Sequence, residues 1–220
     1  MGSLRSHHDL MVRLSGAAHC RVLGVDYRLM PECRFPTPVE DCLSAYHWAL
    51  RQGYPAHRLA LAGDSGGGCL VAATLLAARE RGLPLPASAV MLSALTDFEM
   101  RGASYQTHAM VDPIHTRALI ELLARQYLGV DADRSHPWAS PLNGDLSGLP
   151  PLLLQVGERE TGLDDSRMFA ERAAAAGTPV ELQVWQGMFH VFQQFASELE
   201  EAREAIAGIG RFLDQHWRHS

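Results

Sequence analysis

Ser65 is the residue of this 220-residue chain best placed to act as a nucleophile. It stands in Gly63-Asp64-Ser65-Gly66-Gly67, between an apolar run at 58–62 and an alanine- and leucine-rich stretch reaching Arg81. The pattern G-x-S-x-G in that setting describes a buried strand, a turn too tight for side chains and a helix. Small flanking residues let backbone segments crowd together while the hydroxyl at the tip stays accessible. The helix behind Ser65 turns its free N–H groups, that of Gly66 first, and its positive dipole end toward the same point. Negative charge developing there is therefore stabilised. Glycine and serine often make no more than a turn; here the strand before and the helix after supply the context the pattern demands.

A serine hydroxyl is a weak nucleophile until a base takes its proton, and a carboxylate must orient that base. On doubly wound sheets the chain order is Ser, then acid, then His. The downstream histidines are His108, His115, His136, His190, His216 and His219. His190 lies just past the final predicted strand, and parallel sheets place their sites in loops at the carboxyl ends of strands. Position therefore favours His190. The acid should likewise follow the strand at 152–156, where Glu158, Glu160, Asp164 and Asp165 crowd together. Most of these suit the first turn of a helix, and position alone leaves the four open.

Those residues need a scaffold, and the hydropathy pattern supplies one. Residues 6–18 read as a helix with Ser6 as its cap. Residues 20–27 read as a strand, 28–38 as a proline-rich loop, and 39–52 as an amphipathic helix ended by Gly53. Strand 58–62, helix 66–81 and strand 87–96 follow. Strand 152–156, helix 164–176, strand 179–185 and helix 196–217 close the chain. This alternation predicts an α/β fold, a doubly wound and mostly parallel sheet covered on both faces. The rhythm breaks over 97–151, which holds one helix at 113–127 and much irregular chain. An insertion of that size suggests a lid over 97–137 within a single domain of residues 1–220.

Composition narrows the classes of function. The chain is 47% hydrophobic and 20% charged, ordinary for a globular protein. Its formal net charge is −6 and its 19 basic residues, all arginine, form no cluster, which argues against nucleic acid as a partner. No apolar run approaches the ~18 residues of a membrane span. Cys20, Cys33, Cys42 and Cys69 show no C-x-x-C pairing and read as small buried hydrophobes. His7 and His8 are adjacent, so on a helix they diverge by about 100° and do not chelate together. The polar, histidine-containing stretch 1–14 does not read as a signal peptide, and the expected location is cytoplasmic.

Longer motifs carry a family resemblance. Asp26-Tyr27-Arg28-Leu29-Met30-Pro31-Glu32, then Phe35-Pro36 and Val39-Glu40-Asp41, resemble a D-Y-R-L-A-P-E…F-P…V-E-D stretch. Gly63-Asp64-Ser65-Gly66-Gly67 resembles G-D-S-A-G-G, with Gly66 in place of alanine. Ser140-Pro141-Leu142, Leu149-Pro150-Pro151 and Gly187-Met188-Phe189-His190-Val191-Phe192 follow in the right order. The chain is thereby identified as similar to the hormone-sensitive-lipase-like bacterial esterases of the α/β-hydrolase fold. The resemblance implies Ser65 as nucleophile, His190 as base and the Gly66 N–H in the oxyanion hole. Counting from Leu152-Leu153-Leu154-Gln155-Val156-Gly157, the family's acid falls on Glu160, with Asp164, the pattern's second acid, as second choice. Glu stands here for the usual Asp, and Thr161-Gly162 for Pro-Leu.

The same resemblance implies an N-terminally truncated hydrolase. Family members carry an H-G-G-G oxyanion loop upstream, and Met1-Gly2-Ser3-Leu4 resembles the residues just after it. That loop, the strand before it, two earlier strands and part of the cap are expected to be missing, through a late-assigned start codon or a truncated gene. The lost strand would lie between those at 20–27 and 58–62, so two buried edges must pair or stay open. Each lost oxyanion donor typically costs ~10²–10³ in turnover.

The expected function is hydrolysis of short- to medium-chain acyl esters through an acyl-enzyme, with a small-molecule ester as partner and no metal or cofactor. Resemblance also implies a homodimer through the last strand and the closing helix. The rivals are a catalytically impaired remnant, a small-molecule-binding protein of hydrolase-like fold, and a peptidase or lipase on the same scaffold.

Overall fold

A computed structural model describes residues 2–130 and 132–217. His219 lies outside them. Four strands form one parallel sheet in the order β1-β2-β3-β4: β1 at Ala60–Asp64, β2 at Ser88–Leu92, β3 at Leu152–Gly157 and β4 at Val180–Trp185. Asp64 pairs with Leu92, Leu92 with Gln155, and Gly157 with Trp185, so all four carboxyl ends open onto one rim.

Successive side chains on the middle strands point to opposite faces. Ala89 and Met91 of β2, with Leu152 and Leu154 of β3, pack under α3 (Gly66–Glu80) and α6 (Leu163–Ala175). Val90, Leu92 and Leu153 pack on the other face, under α1 (His8–Ala18) and α7 (Glu200–Trp217). Both faces are thus covered, and β2 and β3 are buried throughout. Helix α2 (Thr37–Arg51) lays Val39, Leu43 and Tyr46 on Leu70, Ala73 and Ala77 of α3. Being enclosed on several sides, α3 is buried from Gly68 to Ala78, which its alanine-rich sequence permits. The loop before α2 is clipped by Arg28, whose Nε and Nη2 donate to Asp41 at 3.0 and 2.7 Å.

The segment 97–137 carries two helices, α4 (Ser104–Thr107) and α5 (Arg117–Leu128). Its apolar residues Phe98, Met100, Tyr105, Ile120 and Ala124 form a separate core with Cys69, in the first turn of α3, and Leu95. The segment is therefore seated above the start of the helix that follows Ser65.

Several local expectations change. Residues 20–27 are not a strand, although their β-branched, apolar pattern suits one. A strand needs a neighbour, and β1 pairs only with β2. Leu23 is left 60% exposed. The second edge of β1 stays unpaired among the described residues. Helix α5 begins at Arg117, four residues later than the hydropathy pattern suggests. Asp112 Oδ1 accepts the backbone N–H groups of Ile114 and His115, holding that stretch in a turn, and Thr116 Oγ1 then caps the helix by accepting from Leu119. Ser6 does not cap α1. Its hydroxyl bonds to the Ser3 carbonyl and the His7 ring, and the helix starts after His7.

The turn at Ser65 depends on one close approach. A Cβ on Gly63 would lie 2.3 Å from the Gly67 carbonyl oxygen, whereas one on Gly66 meets nothing within 4 Å. Gly63→Ala should therefore lower stability by about 1–3 kcal/mol, while Gly66→Ala changes it by less than about 0.5 kcal/mol. Urea unfolding of the two variants beside the parent chain measures both.

Candidate active site

Ser65 occupies the tip between β1 and α3, with φ 55° and ψ −119°. A non-glycine residue in that region is strained and persists only where the surroundings fix it. Here the Ser65 N–H donates to the Leu92 carbonyl at 2.8 Å, and its own carbonyl accepts from Gly68 at 3.0 Å and Cys69 at 3.2 Å. The backbone is fastened on both sides, which leaves the hydroxyl as the group presented at the rim. Gly66 opens α3, and the first N–H groups of a helix have no partner within it.

The acid and the histidine meet in the interior. Glu160 is 0% exposed and His190 6% exposed, and Glu160 Oε2 lies 2.9 Å from His190 Nδ1. Glu160 Oε1 accepts from the Ser93 hydroxyl at 2.7 Å and from the Gly157 N–H at 2.5 Å. An ionised carboxylate only accepts, so Nδ1 carries the ring proton and Nε2 is left with its lone pair.

β1 and β4 are opposite edges of the sheet, about 14 Å apart at ~4.8 Å per strand spacing. The loop after β4 closes that gap by reaching back over the rim. The Val191 N–H donates to Ser93 Oγ at 3.0 Å, and Gln194 Nε2 donates to Asp64 Oδ2 at 3.2 Å. The segment bearing His190 thus rests against the residue beside Ser65. Among the hydrogen bonds of the described residues, none joins the Ser65 hydroxyl to His190.

The other acids are employed elsewhere. Glu158 accepts from the Gly187 N–H. Asp164, the second choice, accepts from the Ser104 N–H at 2.9 Å and stands 3.4 Å from Arg167, with no bond to His190. Asp165 is fully buried and accepts the N–H groups of Thr96 and Asp97. Burial, then the nearby Asp97 carboxylate, pushes its carboxyl up to about 8. His108 bonds to Thr107, and His136 Nδ1 accepts from the Trp138 N–H within its own loop.

Four further residues shape the site. Ser93, left-handed at φ 49°, links Glu160 to Val191. Its only sequence signal is its place at the carboxyl end of β2. His7 lies 3.2 Å from Asp64 Oδ2 and 2.9 Å from Gln194, and its bond to Asp64 raises its affinity for a proton. His115 packs against His190, and Asp112 ties its loop to Thr161. No pattern in the sequence announces that contact. No group of three His, Cys, Asp or Glu side chains among the described residues could hold a metal ion.

A family model described as the alpha/beta hydrolase fold matches residues 1–194. The chain belongs to the α/β-hydrolase family. Within it the relatives are esterases. An acetyl-hydrolase of Streptomyces hygroscopicus is 45% identical over 213 residues, covering 97% of this chain and 71% of its own. An ethyl acetate hydrolase of Pseudomonas putida is 38% identical over 224 residues, covering 98% and 70%. The crystal structure of an esterase from the bacterial hormone-sensitive lipase family superposes with a TM-score of 0.96 at 50% identity, covering 99% of this chain and 73% of that one. This hydrolase is accordingly a hormone-sensitive-lipase-like carboxylic ester hydrolase. No helix among the described residues is long and apolar enough to cross a membrane.

Asp165 gives the hydrolase a pH signature unrelated to turnover. Its folded value lies above the ordinary 3.8, so the native chain keeps the proton and the unfolded chain loses it sooner. That contribution to stability is complete below about pH 4 and is lost as pH rises toward 8. Asp165→Asn abolishes it, so the melting temperature of the variant relative to the parent should climb across that window in calorimetric scans.

Proposed function

We propose that this esterase acts through Ser65, His190 and Glu160 on short- to medium-chain acyl esters. The single observation that carries the reading is the buried Glu160–His190 hydrogen bond, which fixes the ring with Nε2 free at the rim where Ser65 is presented. His190 Nε2 takes the Ser65 proton as Oγ bonds to the ester carbonyl carbon and the carbonyl electron pair moves onto oxygen. The Gly66 N–H and the dipole of α3 hold that oxyanion. As the tetrahedral species collapses, the proton passes from His190 to the departing alcohol. Water then repeats the sequence and releases the acid. The Ser65 hydroxyl and Nε2 come within hydrogen-bond reach when substrate binds, since such contacts are commonly loose in free enzymes.

Relatives named for acetyl esters support the short end of the acyl range. Segment 97–137 is proposed as the lid that lines the acyl or alcohol pocket, because its core sits on Cys69 of α3 and its His115 on His190. The proposed working form is a homodimer through α7 and the outer edge of β4, which pairs with no further strand among the described residues. All four cysteines are free thiols, which supports a reducing, cytoplasmic location.

The test is turnover of p-nitrophenyl acetate, butyrate and longer esters by the purified chain. Ser65→Ala should lower kcat at least about 10⁴-fold, and Glu160→Ala about 10²–10⁴-fold. Asp164→Ala should stay within about threefold of the parent, as a substitution away from the reacting groups. Turnover that survives Ser65→Ala would sink the mechanism, whereas a parent chain that turns over none of these esters would leave the small-molecule-binding reading.

A further inference from the structure

A second histidine lies on the base itself. The ring centroids of His115 and His190 are 3.9 Å apart, with their planes tilted by 56°. His115 is 7% exposed and His190 6%, so little water reaches either ring. His115 does not come from the carboxyl end of a strand but from segment 97–137, and its loop is pinned by one carboxylate. Asp112 Oδ1 accepts the N–H groups of Ile114 and His115, each at 2.9 Å. Asp112 Oδ2 accepts the Thr161 N–H at 2.8 Å and its hydroxyl at 3.0 Å. Thr161 adjoins Glu160. One acidic side chain therefore sets the loop that carries His115 against the loop that carries the acid.

Its surroundings keep His115 uncharged. Burial, then the nearness of His190, pushes His115 down to about 4, against the opposing pull of Asp112. Around neutral pH, His115 is an uncharged aromatic ring. The ionisable groups facing the pair are Glu160 at His190 Nδ1 and Asp112 behind His115. When His190 accepts the Ser65 proton it becomes a cation in a place that water does not solvate. A neutral π-system in contact with it offers electron density and no competing charge.

We propose that His115 is a positioning residue for the base: its ring, packed on His190, holds the imidazole in the Glu160 hydrogen bond and stabilises the imidazolium formed when His190 takes the Ser65 proton. The inference rests on the acyl-transfer reading given above. His115 itself exchanges no proton, forms no bond and leaves the stoichiometry of hydrolysis unchanged.

Three variants of the whole chain test it, with p-nitrophenyl acetate turnover followed from pH 5 to 9. His115→Leu fills the space without a π-face, and His115→Met does so with an unbranched side chain should the leucine variant fold poorly. His115→Phe keeps an aromatic face and removes the nitrogens. The leucine and methionine variants should lose about fivefold to tenfold in kcat, with KM within about twofold. The acid limb of their kcat/KM profile should move to lower pH, because protonated His190 is no longer favoured by its neighbour. The phenylalanine variant should keep kcat within about threefold and leave the acid limb in place. A merely space-filling role would leave the acid limb unmoved in all three. Parental kcat and acid limb in His115→Leu overturn the inference, as does a rise in KM alone or a phenylalanine variant as impaired as the leucine one. Labelling of Ser65 by a fluorophosphonate separates the two levels. A parent chain that is neither labelled nor dependent on Ser65 overturns the acyl-transfer reading and this inference with it. A labelled, active parent matched by His115→Leu overturns the inference alone.

Discussion

A buried carboxylate organises the rim of this sheet. Glu160 has no access to water, and an uncompensated charge in such a place costs several kcal/mol. It is compensated by three donors that come from three different strand ends: Ser93 after β2, Gly157 at the end of β3 and His190 after β4. Satisfying one side chain therefore forces three loops to converge. Ser93 reinforces the convergence, because its hydroxyl donates to Glu160 while accepting from Val191. The backbone at Ser93 takes a left-handed conformation to do so, a strain the surrounding bonds offset.

The same constraint explains why chemistry can occur at a sheet whose relevant strands are not neighbours. β1 and β4 are the two edges, and nothing in a parallel ladder brings their ends together. The loop after β4 folds back because its residues find partners along the rim: Val191 at Ser93, then Gln194 at Asp64. A further close approach confirms how tight the fit is. A Cβ on Gly157 would lie 2.5 Å from the Met188 carbonyl oxygen, so only glycine lets the histidine loop lie this near the end of β3. From β1 outward the arrangement is completed by His7, whose Nε2 lies 3.2 Å from Asp64 Oδ2 and so ties the start of α1 to the same rim.

Segment 97–137 is bound into this arrangement and is not a loose appendage. It has an apolar core of its own, an ion pair between Arg134 and Glu121 at 2.6 Å, and the Asp112–Thr161 bonds that anchor it beside the acid. A piece of chain that looks irregular in sequence thus packs its His115 ring against His190. Part of its irregularity comes from side chains that satisfy backbone groups locally, Asp112 above all, and so replace the first turn of the helix that periodicity suggests.

The sequence by itself determined the alternation of strands and helices, the tight turn at Ser65 and the loop position of His190. Each follows from local rules: two-residue and 3.6-residue periods, the glycine spacing of a crowded turn, and the order of elements in a parallel sheet. It left Glu158, Glu160, Asp164 and Asp165 open on position, and only the motif count separated Glu160. Four carboxyls within eight residues are alike in composition, and they differ only in which way the backbone aims each one. Tertiary structure decided that Glu160 points inward to His190, Asp164 to the Ser104 N–H and Asp165 to Thr96. It also decided that residues 20–27, strand-like in pattern, pair with no strand among the described residues, because a strand exists only with a neighbour to bond. The contact between His115 and His190 spans 75 residues of chain, and no local rule carries information over that distance.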